Sequence, residues 1–421
     1  MKFRSTRKKS PELTASEAIL QGLAPDGGLY VPTEFPTVNW KNWSDSKPYS
    51  EIASDIISPF FSKDPLQNDI SEICKSAFNF PIILKNIQNE FSILELFHGP
   101  TAAFKDFGAR FLAECMIRLN QSEKKLLILV ATSGDTGGAV AAAFHKKPNT
   151  QVGILFPKGK VSARQEKQLT CWGDNIASFS VNGVFDDCQK LVKSSFESEQ
   201  FKTEFNLTSA NSINLGRLLP QTVYYFFASV SYFNQTGRKP VFIIPSGNVG
   251  NAVGAFWALK MGAPIEKIVL AVNSNKPIPD YFETGNWEPR SSVATLANAM
   301  DVGNPSNMER LIDLFSKIDE LKQISASYSV PDSKIEQMIM ETYRTYGEII
   351  CPHTAVAEWV RRKYYHDQPS IIVSTAHPAK FETIVEHLIE KPIPIPENLA
   401  VLLNKPSIFK EIEPELSQIS F

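Results

Sequence analysis

One lysine lies in an unusually apolar stretch of this 421-residue sequence. Lys105 follows a His-Gly-Pro-Thr turn and is flanked by Phe104 and Phe107 in "LFHGPTAAFKDFGARFL". An apolar setting lowers the pKa of an ammonium group, so that a neutral amine becomes available as a nucleophile or a base. On residue type alone, an ordinary lysine on the surface of a helix explains Lys105 equally well.

Three predicted strands end in small, polar or glycine-bearing loops. These loops are "ATSGDTGGAV" after residue 130, "IPSGNVGNAVGAF" after residue 244 and "VSTAHPAKF" after residue 373. Since ligands bind beyond the carboxyl ends of the strands in open parallel sheets, we expect the three loops to converge on one crevice. The second loop runs directly from strand into helix, where backbone N–H groups can hold a phosphate; a tight turn without a ligand is the alternative.

Other ligand motifs are missing from the sequence. The glycines of "SGNVGNAVG" miss the GxGxxG spacing, and "GILFPKGKV" departs from the P-loop because Val161 replaces the hydroxyl that binds the metal. There is no GxSxG elbow and no HExxH zinc motif, and we expect no metal site. Four of the six histidines show no ligand spacing and are predicted to be ordinary packed or surface residues. They are His145, His353, His366 and His387.

A phosphate-binding loop without a dinucleotide or ATP signature, combined with a lysine in an apolar frame, indicates a particular kind of cofactor. Pyridoxal phosphate carries one phosphate and bonds covalently to a lysine, because only a primary amine forms a Schiff base with its aldehyde. The residues are therefore consistent with a pyridoxal phosphate site.

The composition excludes several classes of partner. A net charge of -2 gives no overall attraction to nucleic acid or to an anionic membrane. Five scattered cysteines without a CxxC pair argue against a disulfide framework and fit a reducing cytoplasm. The basic start "MKFRSTRKKS" precedes no apolar run, and no stretch is long enough to span a bilayer. We expect a soluble cytoplasmic protein that acts on a small molecule, and the sequence leaves its oligomeric state open.

The elements that must position the loops predict an α/β fold. The first ninety or so residues are mostly helical, beginning with "PELTASEAILQGLA", for which Thr14 is the predicted N-cap. From residue 91 onward, short apolar strands alternate with helices, as in βαβ units around a parallel sheet. The clearest strands are "KLLILVAT", "QVGILFP", "KPVFIIP", "IEKIVLAVN" and "PSIIVST", and "NIASFSVNG" is a weaker one. The predicted domains are an N-terminal module at 1–85, a smaller α/β domain at 86–215 and a larger one at 216–421 that ends in a proline-bearing surface wrap.

The exact motif strings resemble one family. They are "GLAPDGGLYVP", "LFHGPTAAFKD", "TSGDTGGA", "FPKGKVS", "NSINLGRLLPQTVYY", "PSGNVGN" and "STAHPAKF", in this order. Together they are similar to the threonine synthases, members of the fold-type II (tryptophan synthase β-like) pyridoxal phosphate family, from about residue 2 to 385. The resemblance implies two open, mostly parallel α/β domains behind a mostly helical N-terminal module. It also implies conversion of O-phospho-L-homoserine and water to L-threonine and phosphate, the last step of threonine biosynthesis.

The resemblance further implies a role for individual residues. Lys105 becomes the catalytic residue and the lysine that binds the cofactor covalently. The cofactor phosphate is assigned to Gly247, Asn248, Val249, Gly250 and Asn251, and the ring nitrogen to Thr375. Asp135 stands where many relatives have Asn, which leaves the partner of the cofactor's 3-oxygen open. The implied substrate-binding residues are Thr101, Ser133, Gly134, Asp135 and Thr136, with Lys160, Ser162, Asn214 and Arg217 for the substrate phosphate.

Two alternatives stay open at this point. One is a serine or threonine dehydratase-like lyase, against which the N-terminal module and the Lys- and Arg-bearing motifs argue, because a dehydratase substrate has no phosphate to hold. The other is a catalytically inactive relative that binds pyridoxal phosphate or phosphate alone. The presence of Lys105 argues against it.

Overall fold

The computed structural model describes residues 1–44, 46–88, 90–132 and 134–421. Within these residues the chain forms three sheets surrounded by helices. The strands are β1 (Phe3–Ser5), β2 (Tyr30–Pro32), β3 (Ile83–Gln88), β4 (Phe91–Glu95), β5 (Leu126–Ala131), β6 (Thr150–Pro157), β7 (Ile176–Val181), β8 (Asn206–Ser209), β9 (Val241–Pro245), β10 (Lys267–Val272), β11 (Ser325–Ser329), β12 (Ser370–Ser374) and β13 (Lys410–Ile412).

The α-helices lie between and after these strands. They are α1 (Ala15–Gln21), α2 (Tyr49–Ile57), α3 (Ile70–Ala77), α4 (Lys105–Leu119), α5 (Asp135–Phe144), α6 (Ala163–Thr170), α7 (Phe185–Glu197), α8 (Glu199–Glu204), α9 (Leu215–Leu218), α10 (Gln221–Thr236), α11 (Gly250–Lys260), α12 (Pro277–Thr284), α13 (Met308–Leu314), α14 (Ile318–Ile324), α15 (Asp332–Tyr346), α16 (Pro352–Tyr364), α17 (Glu382–Ile389) and α18 (Glu397–Leu403).

The N-terminal segment combines an antiparallel strand pair with three helices. β1 pairs with β2, and α1 begins at the predicted N-cap: Thr14 accepts a hydrogen bond from the Glu17 backbone N–H, and Glu17 accepts one from Thr14 in return. The segment packs on α4 through aromatic rings, since Phe61 and Phe78 both contact Phe111. The module is therefore fastened to the helix that begins with Lys105.

Two larger sheets confirm the predicted α/β architecture. One has the order β11-β10-β9-β12-β4-β3 and is parallel except for β3, and the other has the order β13-β7-β6-β5-β8 and is parallel throughout. All six predicted strands are present, as β5, β6, β7, β9, β10 and β12. Every residue of β9 and β12 is buried, which explains the unbroken apolar runs. Each sheet takes strands from both sides of residue 215, and the domain boundaries at 85 and 215 stay predictions.

The C-terminal segment is more ordered than the predicted surface wrap. It contains α18, and β13 joins β7 as an edge strand. The ring of Phe421 contacts Phe179, Phe201 and Phe205, and Gly153 leaves room for it, because a Cβ there would lie 2.7 Å from the ring. The sequence gives little sign of β13, since two of its three residues are charged.

The described residues also bear on membrane insertion and on metal binding. No helix in this part of the chain has both the length and the apolar character needed to cross a bilayer. Within the same ranges, no group of three or more His, Cys, Asp or Glu side chains is arranged to hold a metal ion.

Candidate active site

Two of the motif loops meet directly at the carboxyl edge of the six-stranded sheet. Ala103 forms an isolated β-bridge with Ala376, and the Phe104 backbone N–H donates to the Thr375 carbonyl at 2.8 Å. Because β4 and β12 are parallel neighbours, their following loops leave the sheet side by side. The structure thus brings Lys105 next to the segment that contains Thr375.

Lys105 is the first residue of α4 and is partly buried. Its Nζ donates a hydrogen bond to Thr136 Oγ1 at 2.7 Å and lies 5.9 Å from the centroid of the Phe104 ring. Burial lowers the pKa of Lys105 to about 8; the Asp135 carboxylate opposes this shift, and the cations of Arg217 and Lys380 add to it. The partly positive N-terminus of a helix also disfavours a cation. At neutral pH the fraction of neutral amine is therefore larger than for an ordinary lysine.

Asp135 opens α5 beside this amine and is buried. The turn before it uses Gly134 at φ +140°, where an added Cβ would lie 2.7 Å from Gln165 Nε2. Asp135 Oδ1 accepts hydrogen bonds from Lys380 Nζ at 2.9 Å and from Gln165 Nε2 at 3.2 Å. Burial alone would raise the pKa of Asp135, but Lys380 and then Lys105 hold this pKa below its usual range. Ser133, a predicted substrate ligand, lies outside the described residues.

Lys380 is a residue of this site that the sequence did not single out. It is fully buried, and its Nζ donates to the Thr101 carbonyl at 2.9 Å as well as to Asp135. Lys380 belongs to the motif "STAHPAKF", in which the resemblance assigns a role only to Thr375. The local sequence indicates only that Lys380 lies between two apolar residues, alanine and phenylalanine. Its role depends on the carboxylate of Asp135, which is distant in sequence.

The backbone N–H, the carbonyl and the hydroxyl of Thr101 are all hydrogen-bonded within the fold. Its backbone N–H and its Oγ1 donate to the carboxylate of Asp106 at 2.8 and 2.7 Å, and its carbonyl also accepts from Gln168 at 2.9 Å. Burial raises the pKa of Asp106 to about 6, against the effect of the two bonds from Thr101. The Thr101 hydroxyl is therefore used to fix the Lys105 loop, and its predicted contact with substrate stays a prediction.

Arg217 is a buried cation with unused hydrogen-bonding capacity. Its Nη1 donates to the Ala210 carbonyl at 2.5 Å, whereas its buried Nε has no partner among the residues that the structure describes. Burial lowers the pKa of Arg217 to about 10, opposed by the Asp106 carboxylate. An added Cβ on Gly108 would lie 2.9 Å from that Nε, so this glycine allows α4 to approach the arginine. A buried guanidinium with a free N–H is suited to bind an anion.

The predicted phosphate loop connects β9 to α11 through a strained backbone. Val249 has φ +64°, a left-handed conformation that β-branched residues rarely adopt. An added Cβ on Gly247 would lie 2.8 Å from the Met300 Cα, so the loop also passes very close to a neighbouring segment. The first N–H groups of a helix lack intrahelical partners and favour a bound anion. Strain at such a turn is typical of a functional site.

The two asparagines of this loop differ in their surroundings. Asn248 is fixed, since its Nδ2 donates to Ser212 Oγ at 2.7 Å and its Oδ1 accepts from the Ser306 N–H at 2.6 Å. Asn251 Oδ1 accepts from the hydroxyls of Tyr224 and Tyr225, but its buried Nδ2 has no partner within the described ranges. A fixed loop at a helix N-terminus, with an amide donor that is unpaired among the described residues, fits the phosphate of pyridoxal phosphate.

Comparison with known proteins identifies the family. Family models described as "Threonine synthase N terminus", "Pyridoxal-phosphate dependent enzyme" and "Threonine synthase, C-terminal" match residues 2–78, 83–361 and 354–420. The threonine synthase of Haemophilus influenzae is 38% identical over 98% of this chain and 97% of its own, and that of Escherichia coli is 37% identical over 95% and 94%. The chain belongs to the threonine synthase family.

Solved structures agree with this family membership. The PLP-bound threonine synthase of Brucella melitensis has a TM-score of 0.92 at 33% identity and covers 99% of this chain and 97% of its own. The yeast threonine synthase has a TM-score of 0.90 at 30% identity, with coverages of 99% and 96%. The resemblance inferred from the motifs and the fold class are both confirmed.

Three other residues predicted to bind the substrate of a threonine synthase have different surroundings here. Lys160 is exposed on the turn after β6. Ser162 caps α6, because its Oγ accepts from the Gln165 N–H at 3.2 Å. Asn214 caps α9: its Oδ1 accepts from the Gly216 N–H at 2.8 Å, and its Nδ2 donates to the Ile19 carbonyl at 2.9 Å. These contacts favour structural roles for Ser162 and Asn214, and their assignments as ligands stay predictions.

His353 also belongs to the surroundings of the site in this threonine synthase family member. Its Nε2 accepts a hydrogen bond from the Ala299 N–H at 3.3 Å. Burial lowers the pKa of His353 to about 4, with Asp135 opposing the shift and Lys105 and Lys380 adding to it. The histidine is packed, as expected from the sequence, but its charge is coupled to the cluster around Lys105. The coupling could not be predicted from the sequence, because His353 is far from Asp135 and Lys105 along the chain.

Proposed function

We propose that this enzyme converts O-phospho-L-homoserine and water into L-threonine and phosphate, with pyridoxal phosphate bound covalently to Lys105. The observation that carries the proposal is the position of the Lys105 amine, whose pKa is lowered to about 8. It is hydrogen-bonded to Thr136 at the start of α5, directly after the loop that follows β5, and lies next to the loop after β12, which the Phe104 N–H contacts at Thr375. When bound, pyridoxal phosphate supplies an aldehyde for the amine and a ring that withdraws electrons from the substrate.

The residues present fit this cofactor. The segment Gly247–Asn251 would hold its phosphate through backbone N–H groups and the unpaired Nδ2 of Asn251. The Thr375 hydroxyl would face the ring nitrogen. A hydroxyl cannot stabilise a protonated ring nitrogen as a carboxylate does, so the ring would withdraw electrons less strongly than in pyridoxal enzymes with a carboxylate there.

Lys105 would also move the protons of the reaction. An amine with a pKa near 8 can accept a proton from a substrate carbon and return it at neutral pH. Thr136 Oγ1, which accepts a hydrogen bond from Lys105 at 2.7 Å, would fix the amine between transfers. The N–H groups at the start of α5, from Gly134 to Thr136, would bind the substrate carboxylate together with Thr101 and Ser133.

Arg217 is the strongest candidate for the substrate phosphate, because its guanidinium is buried, charged and only partly used. Lys160 is exposed, and Ser162 and Asn214 cap helices, so they support the proposal less. The dehydratase alternative gives no reason for an additional buried cation.

The cysteine content further supports a cytoplasmic location, which fractionation of the source cells tests.

The test is turnover by the purified protein supplied with pyridoxal phosphate. We expect equimolar phosphate and threonine from O-phospho-L-homoserine, and borohydride should fix the cofactor on the peptide that contains Lys105. Serine and threonine serve as matched substrates without phosphate. Ketoacid formed from these two without phosphate release from phosphohomoserine would support the dehydratase instead, and no turnover of any of the three would support the inactive relative.

A further inference from the structure

Two lysines and one buried carboxylate meet in this site. In the part of the chain that the structure describes, Asp135 forms its ion pair with Lys380 at 2.9 Å, while Lys105 donates to the uncharged hydroxyl of Thr136. Asp135 is nevertheless the group whose charge acts to raise the pKa of Lys105. The carboxylate is thus within electrostatic reach of both amines but is bonded to only one of them.

The surroundings of Lys380 fix its choice of partner. Its Nζ has two acceptors, the Asp135 carboxylate and the Thr101 carbonyl, both at 2.9 Å. It lies on the short 3-10 turn Pro378–Phe381, which is anchored to α6 by Arg164: the guanidinium donates to the Ala379 carbonyl and lies 3.4 Å from Glu382. A fully buried ammonium without a counter-ion is strongly destabilising, so this geometry requires the carboxylate.

We propose that Lys380 is a positioning residue that engages the Asp135 carboxylate and thereby prevents an ion pair between Asp135 and Lys105. Without that ion pair, a larger fraction of Lys105 is the uncharged amine that the cofactor requires. This inference rests on the proposed function, because it gives Lys380 a role only if Lys105 captures pyridoxal phosphate. Capture joins Nζ to the aldehyde carbon with loss of one water, and only the neutral amine can attack.

Other charged groups around the two lysines do not replace this arrangement. Arg217 on α9 faces Lys105 as a second cation and cannot neutralise it. His353 on α16 faces Asp135, and because burial lowers its pKa to about 4, it is uncharged at neutral pH. Asp106 on α4 is committed to Thr101. Among the described residues, Lys380 is therefore the cation that is bonded to Asp135.

The experiment measures capture of pyridoxal phosphate by the apoprotein across a pH series. Samples are reduced with borohydride at timed intervals, and the label on the Lys105 peptide is quantified by mass. In Lys380→Met, which keeps the length of the side chain without its charge, Asp135 is free to pair with Lys105. We expect the capture profile to move upward by at least one pH unit, which slows capture at pH 7 about tenfold or more.

A second substitution distinguishes this role from loss of structure. Adding Asp135→Asn to Lys380→Met removes the competing carboxylate, and the profile should return to or below that of the wild type. Asp135→Asn alone should move the profile to lower pH, and it decides the question if Lys380→Met does not fold. An unshifted Lys380→Met profile, a double variant as slow as Lys380→Met, or an upward shift in Asp135→Asn would overturn the proposal. Failure of the wild type to label Lys105 would instead overturn the proposed function.

Discussion

Replacement of Arg217 by alanine tests the assignment of the substrate phosphate. We expect Arg217→Ala to lower kcat/KM for O-phospho-L-homoserine at least tenfold, and to leave the affinity for pyridoxal phosphate almost unchanged. The physical reason is that the buried Nε of Arg217 has no partner in the described part of the chain, so the phosphate would complete its hydrogen bonding.

The magnitude follows from the number of hydrogen bonds lost. A hydrogen bond to a charged group contributes about 1.5 to 3 kcal/mol. Loss of one such bond corresponds to roughly ten- to 150-fold in kcat/KM, and loss of a two-pronged contact to more. Since the bond to the Ala210 carbonyl at 2.5 Å is lost as well, stability should fall by about 1 to 3 kcal/mol.

The assay compares two reactions of the same variant. One is phosphate release from phosphohomoserine, and the other is the slow side reaction with an amino acid that has no phosphate. Arg217→Lys is the matched control, because it keeps the charge but loses the planar fork, and we expect an intermediate loss. Urea unfolding of each variant confirms that the assays are carried out on folded protein. An equal loss of both reactions in Arg217→Ala would refute the reasoning and assign Arg217 to the fold.

The other predictions concern the cofactor. Lys105→Ala should abolish turnover and borohydride labelling while the folded state persists by circular dichroism; near-normal activity would contradict the assignment. Gly250→Asp should weaken cofactor affinity at least tenfold, whereas the control Gly250→Ala places a Cβ 3.1 Å from the Asn307 amide without adding a negative charge and should cost less; equal affinities in Gly250→Asp and the wild type would mean that the loop binds no phosphate. Capture of pyridoxal phosphate by the wild-type apoprotein should rise about tenfold per pH unit and level off near pH 8, because burial lowers the pKa of Lys105 to about 8; a rise that continues toward 10.5, the value of an unperturbed lysine, would argue against a buried amine.

The parts of the fold that could be predicted are those whose signal is local. The strands β5, β6, β9, β10 and β12 are continuous apolar runs because both faces of a parallel sheet are covered. Small polar loops follow three of them: the loops after β9 and β12 leave the same edge of the six-stranded sheet, and the loop after β5 leaves the five-stranded sheet. By contrast, β13 and β3 are short or partly exposed edge strands whose pairing depends on neighbours distant in sequence.

For the site, residue type was a good guide where the setting itself is local. Lys105 is recognisable because its apolar frame and its turn are adjacent to it in sequence. Lys380 and His353 are not, since their roles arise only when Asp135 is brought beside them. Asn214 is the opposite case, because its motif predicts a ligand whereas its contacts are structural. Its side chain donates and accepts hydrogen bonds within the fold and caps α9.

The three cations of the site differ in what compensates their charge, and this difference separates their roles. Lys380 has a carboxylate at 2.9 Å that compensates its charge, so its role is to position Asp135. Lys105 has a hydroxyl partner and a lowered pKa, so it can lose its charge and act as nucleophile and base. Among the described residues, Arg217 has a carbonyl partner and an unpaired Nε, and Asp106, the carboxylate that influences it, is bonded to Thr101. Because a buried cation without a counter-ion is unfavourable, we predict that the anion that completes Arg217 comes from a ligand.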